Sequence, residues 1–343
     1  MKTKRNPSID IMKSILVILM TMSHLTYYTS MHIHYNVEEF NAYVDLTTFS
    51  GFIFCFGFAS WYAYVNSERN YKTISIRLLK GFFKSLFAYF ISGAFENFML
   101  LKHGLNDFFK ILTFKTLPGL SEFLLSFALL YLLLLILVPI LRHLDIIGLI
   151  SFFLLTLIPA FLPAPNVSNP ILASLIGSNH GYVFPVLLYL PHFFFGMILA
   201  RNNIKFNPWV LIISIFCTAF FYNDLYYHNS IPNRFPPSLA WIIGSAGFIY
   251  IYFLFSCLLS RILENNTIIL PVLTYPGKHT LLILVTGNLM VYLFYDLRKY
   301  LGPDIIHGFK RETFVYLLAL FSTLAISLMT SLLKKLIICH FFK

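Results

Sequence analysis

Long apolar runs joined by short polar connections set the rhythm of this chain from end to end. Ten of the runs are candidates for the roughly twenty residues that a helix needs to cross a bilayer. Their centres fall near residues 20, 55, 88, 130, 154, 190, 215, 248, 285 and 325. The fifth and sixth are separated by a proline-rich stretch containing Pro159, Pro163, Pro165 and Pro170, and the seventh is short and closes at FYNDLYYHN. The pattern predicts an all-α, polytopic membrane protein of about ten transmembrane helices. The connections leave no room for a soluble domain and show no internal repeat, so the chain reads as a single transmembrane domain over 1–343.

Orientation follows from the basic residues in the connections. With both termini placed in the cytoplasm, the inner connections hold the larger share of Lys and Arg. The connections around 31–42 and 164–181, which then lie outside, hold none. The first apolar run follows MKTKR and lacks a small-residue cleavage site, so it reads as a retained helix rather than a signal peptide.

Composition strengthens the membrane reading. Of 343 residues, 58% are hydrophobic and 11% charged, with mean hydropathy +0.75; a soluble domain is nearer one quarter charged. The net charge of +11 is dispersed over many short connections, which suits anionic lipid surfaces. No basic block or binding motif points to nucleic acid. Cys55, Cys217, Cys257 and Cys339 stand alone in apolar runs, without metal-ligand spacing. Aromatic residues at run ends, such as Tyr27, Tyr28, Tyr226 and Tyr227, fit an interfacial belt.

Against this background, ionisable groups inside apolar runs stand out, because they are costly at membrane depth. Asp10, Lys13 and His24 lie in the first run. Offsets of three, eleven and fourteen return to nearly one helix face, and Lys13 and His24 are about three turns, or ~16 Å, apart. Asp10 and Lys13 can pair across one turn. A neutral imidazole suits a general base acting on a hydroxyl. Arg77, Lys80 and Lys84 recur at helical spacing where a later helix enters the membrane. They are either a seat for phosphates or ordinary inner-side anchors.

Other polar groups accompany them. Glu96 and Asn97 fall in the third run and Glu122 in the fourth; Glu122 is a candidate to pair with a cation or to orient His24. His32, His34, Glu38 and Glu39 follow the first helix, but no further spacing supports a metal, and the expectation is none. Glu38, Glu39 and Asp45 would then form an outer rim, together with Asp224 and Arg234 from the loop before the eighth helix. These five are candidate acceptor-binding residues. His192, beside Pro191, is expected to be a bonded residue at a kink.

The stretch RNPSIDIMKSILVILMTMSH resembles the opening of the integral-membrane acyltransferase-3 family, which includes bacterial sugar and polysaccharide O-acetyltransferases. Lys13 and His24 reproduce that family's basic residue, ten residues and histidine. FSGFIFCFGF resembles its second-helix segment, and Arg77-x-x-Lys80 its basic motif. PHFFFGMILAR and YPGKHTLLIL resemble two later segments. Family members often carry a histidine about ten residues beyond the glycine of that last segment, here Gly277, where this chain has Gly287 followed by Asn288.

The resemblance implies a multi-pass protein of the bacterial cytoplasmic membrane. It would move an acyl group, acetyl above all, from cytosolic acetyl-CoA or another acyl-CoA to a hydroxyl of a cell-surface polysaccharide or its lipid-linked precursor. His24 would be the catalytic residue, as general base or transient acyl carrier. Lys13, Arg77 and Lys80 would hold the coenzyme phosphates. A transporter or flippase for lipid-linked sugars is the alternative, since it too needs many helices and intramembrane charges.

Overall fold

The computed structural model describes residues 5–29, 35–179, 181, 183–301, 321 and 325. Among these it is helical, with no strand beyond one isolated bridge between Arg234 and Pro237. Thirteen α-helices follow in order: α1 (Pro7–Thr29), α2 (Tyr35–Ser60), α3 (Tyr71–Phe95), α4 (Leu105–Leu112), α5 (Glu122–Leu141), α6 (Ile146–Leu157), α7 (Pro170–Ile176), α8 (Val186–Arg201), α9 (Pro208–His228), α10 (Leu239–Gly244), α11 (Ala246–Ile262), α12 (Ile269–Lys278) and α13 (Thr280–Leu301).

Among the described residues, five helical segments are long and apolar enough to cross a membrane: Pro7–Tyr27, Glu38–Val65, Gly119–Leu141, Pro208–His228 and Leu239–Ile262. A sixth forms if α12 and α13, bent by 77° at His279, count as one broken span. Ile146–Phe161 and Val186–Arg201 are apolar but shorter. The tenth run, centred near 325, lies outside the described residues apart from Phe321 and Ala325.

Helix starts follow the local sequence. Asn70, Asp145, Asn169, Asn207 and Ser238 precede α3, α6, α7, α9 and α10, and each side chain accepts a backbone N–H of the first turn. Pro170 and Pro208 occupy first helical positions, where the missing N–H has no partner to lose.

Glycines bring the central helices into backbone contact. A Cβ on Gly57 of α2 would sit 1.9 Å from the Phe193 carbonyl oxygen of α8, and one on Gly196 of α8 would sit 2.1 Å from that of Phe54. The two helices therefore cross with each presenting a glycine to the other's backbone, a close approach characteristic of membrane helices. A Cβ on Gly277 would lie 1.8 Å from the Asp10 carbonyl oxygen, so α12 meets α1 in the same way. There the Gly277 N–H donates to Ser14 Oγ at 2.7 Å.

α1 packs on α2, α11, α12 and α13, and α3 packs on α5 and α13. Burial separates an inner from an outer set. The second span is 72% buried, whereas Pro208–His228 is 11% buried and turns Trp209, Ile213 and Phe216 outward. On one end of the bundle, arginines fasten the turns. Arg142 donates to the carbonyls of Tyr64, Ser67 and Arg69, and Arg201 to that of Leu144 while lying over the Trp61 ring.

Candidate functional site

His24 lies on the wall of a cavity of about 660 Å³. Its imidazole is held by a partner from the far end of the sequence: Nδ1 is 3.0 Å from Asn288 Oδ1. The Asn288 amide donates from Nδ2 to Ser92 Oγ and to the Leu120 carbonyl, both at 3.0 Å. A carbonyl only accepts, so Nδ2 must face Leu120 and Oδ1 must face His24. Oδ1 cannot donate. His24 therefore carries its proton on Nδ1 and leaves Nε2 as the lone-pair nitrogen. Nε2 bonds to none of the described residues and is left to the cavity.

Gly287 lies close against α1, since a Cβ there would stand 3.1 Å from the Thr21 side chain. Asn288 is buried to 2% exposure. Asn288, the residue after the position at which the sequence departs from the acyltransferase-3 pattern, is thus the one that orients the candidate base.

The rest of the wall comes from distant segments. The cavity is lined by Asp45 of α2, by Lys115 and Glu122 around the start of α5, and by Phe184, Arg234 and Phe235. Arg234 Nη1 donates to Asp45 Oδ2. The guanidinium lies 5.1 Å over the Phe184 ring and 4.6 Å over that of Phe235. Phe184 in turn packs on Phe49 at 4.4 Å and on Phe235 at 5.3 Å, giving the arginine an aromatic bed.

Another acid, Glu96, adjoins this wall through Gly119. Glu96 Oε1 accepts the Gly119 N–H at 2.9 Å, pinning the turn that starts α5. Glu96 Oε2, Glu122 Oε2 and the Tyr89 hydroxyl are buried without a partner among the described residues. The buried oxygen of Glu122 meets no cation at bonding distance, and it is Asn288, not Glu122, that bonds His24.

The remaining candidates lie elsewhere. Lys13 is ion-paired with Asp10 at 2.9 Å, and Asp10 also accepts from Arg5 Nη2 at 2.9 Å. Lys13 does not line the cavity. Arg77 and Lys80 are exposed on α3. α13 packs on both α1 and α3, so the cations stand on two helices with a third in contact with each. Glu38 and Glu39 are exposed in the first turns of α2 rather than in a connection, where a carboxylate is favoured by the helix dipole.

Asp45, expected at the mouth of the second helix, sits inside α2 because that helix begins at Tyr35. Asp224 is corrected as well. It belongs to α9, not to a loop, because it pairs with His228 one turn on at 3.2 Å, and Asn229 then ends the helix in the left-handed conformation. It does not line the cavity. His192 Nε2 is 3.3 Å from Ser245 Oγ, the bonded state expected beside Pro191. His32 and His34 lie outside the described residues.

Sequence reasoning missed Lys115, whose connection carries no motif, and left the role of Asn288 open. Compared with protein-family models, curated proteins and solved structures, the chain matches none.

Proposed function

We propose that this chain is a membrane O-acyltransferase. It would move an acyl group, acetyl above all, from cytosolic acyl-CoA to a hydroxyl of a cell-surface polysaccharide or its lipid-linked precursor, in the bacterial cytoplasmic membrane. The observation that carries the reading is His24: a tautomer fixed by Asn288, with Nε2 open to a cavity walled by carboxylates and an arginine. Such a nitrogen can take the proton of an acceptor hydroxyl. The oxygen then attacks the thioester carbonyl, the C–S bond breaks, and the coenzyme thiolate leaves and recovers the proton from the imidazolium. In the variant through a covalent carrier, Nε2 attacks the thioester carbonyl and expels the coenzyme thiolate; the acceptor hydroxyl then takes the acyl group from the imidazole and gives its proton to that thiolate.

Ten spans with both termini cytoplasmic belong to this proposal, as does a phosphate seat made by Lys13, Arg77 and Lys80. Lys13 is half-buried beside Asp10, and Arg77 and Lys80 are exposed on α3. The resemblance in the first helix supports the acyl-transfer chemistry. One observation favours a transporter or flippase for lipid-linked sugars instead: the 77° break between α12 and α13, since broken helices often form the binding sites of transporters.

Replacing His24 separates the two readings. In cells making the H24A variant at normal level, NMR of the surface glycan is expected to show the acyl group lost and the glycan retained. Loss of the whole glycan, with normal acylation of what remains, would establish transport and overturn acyl transfer.

A further inference from the structure

The arginines of this protein are not used alike. Arg142 satisfies three backbone carbonyls, Arg201 reaches the Leu144 carbonyl, and Arg5 forks onto Asp10. Arg234 is different. Of the five N–H donors of its guanidinium, only Nη1 has a bonded acceptor among the described residues, Asp45. Nε is buried with no partner.

Yet the group is firmly held. Asp45 grips it at one end and the faces of Phe184 and Phe235 support it. It lines the same cavity as His24 and is 28% exposed. With Nη1 engaged and Nε buried, Nη2 is the open end of a fixed, planar guanidinium, and a charge-assisted hydrogen bond from such a group suits a carboxylate or phosphate. A second cation, Lys115, is exposed and lines the same cavity. Asp45 offsets part of the positive charge at Arg234, and Lys115 adds a second cation to the cavity. Asp45 is committed to Nη1, and Glu122 turns Oε2 into the protein.

We propose that Arg234 and Lys115 form an anion seat, and that the acceptor taken by this cavity carries a carboxylate or phosphate that docks there while its hydroxyl meets His24. The inference rests on the acyl-transfer reading for the role of the hydroxyl, but not for the seat itself. Two chemical sources fit: a uronic-acid type of sugar, or the phosphate of a lipid-linked sugar. A neutral sugar would leave Nη2 unfilled.

The test is binding to the full chain in lipid nanodiscs by three probes of similar size: an alkyl glucoside, the corresponding alkyl glucuronide and an alkyl glucosyl phosphate. At least one anionic probe is expected to bind tenfold or more tightly than the glucoside, and to weaken as salt is raised. A preference for the glucuronide identifies an acidic sugar and a preference for the phosphate a lipid-linked acceptor; both support the seat. R234Q and K115Q should each remove most of that preference. K115Q changes an exposed side chain, so it keeps the test valid if R234Q does not fold.

Equal binding of all three probes, or an anionic preference intact in both variants, overturns the seat. An R234Q variant that lowers turnover at saturating acceptor but keeps the anionic preference assigns the arginine to the reacting carbonyl and likewise overturns it. The two readings fail separately. An anionic preference in the parent protein that R234Q and K115Q remove, with no transfer from any acyl-CoA, would sink acyl transfer alone.

Discussion

His24 and Asn288 are 264 positions apart and act as one unit. The histidine contributes a nitrogen with a free lone pair. The asparagine contributes only direction, because its own amide is locked by the Leu120 carbonyl. Removing the direction should therefore cost activity without removing the base. N288A is expected to lower acyl transfer by about a hundredfold, within the 10²–10⁴ that a positioned base supplies. It also leaves the Leu120 carbonyl unpaired, at a cost of about 1–3 kcal/mol.

N288D divides the two jobs: it keeps an acceptor for His24 Nδ1 but sets an oxygen against the Leu120 carbonyl. It should retain more activity than N288A while melting at a lower temperature than the parent. Parental activity in N288A, measured as acyl-CoA consumption by the purified protein, would end the orienting role.

At the level of elements, the segments that stood out in the sequence are where helices touch. Gly57 in FSGFIFCFGF meets Phe193 in PHFFFGMILAR, and Gly196 in the latter returns to Phe54 in the former. Gly277 of YPGKHTLLIL lies on Asp10 of the opening stretch. Alanine at Gly57 or Gly196 would drive a methyl into a carbonyl oxygen that cannot rotate away, so the crossing must open. The expected loss is at the upper end of the ~1–3 kcal/mol seen for overpacking, read as a lower melting temperature in detergent. G104A, where nothing lies within 4 Å, should stay within about 0.5 kcal/mol of the parent. Equal melting of G57A, G196A and G104A would show that the crossing is looser than its geometry.

For the whole molecule, the arrangement is layered. α1 and α2 form the buried interior, α9 faces outward, and the cavity opens among α1, α2, the start of α5 and the chain around Phe184 and Arg234. Orientation in the bilayer rests on the dispersion of Lys and Arg, and cysteine labelling can decide it. In a cysteine-free background, a cysteine replacing Glu38 should react with a membrane-impermeant maleimide added to intact cells. One replacing Lys72, on the exposed start of α3, should react only after the cells are opened. The reverse pattern would invert the proposed topology and place the cavity on the cytosolic side.

The sequence alone determined the helical, membrane-suited character of this chain and pointed to His24. Both depend on local matters: the length of apolar runs, and the cost of an ionisable group within one. The helix starts at asparagine, aspartate, serine and proline that the structure shows are equally local, because a cap is satisfied within a few residues. The sequence could not place Asp45 against Arg234, bring Lys115 to the cavity, or give Asn288 its part, since each contact joins segments far apart in sequence and depends on how the helices cross. It placed Asp224 in a loop where a one-turn pair with His228 continues the helix. A nitrogen suited to chemistry can be read from a run of residues. Which lone pair it offers, and to what, is decided only when helices from both ends of the chain pack together.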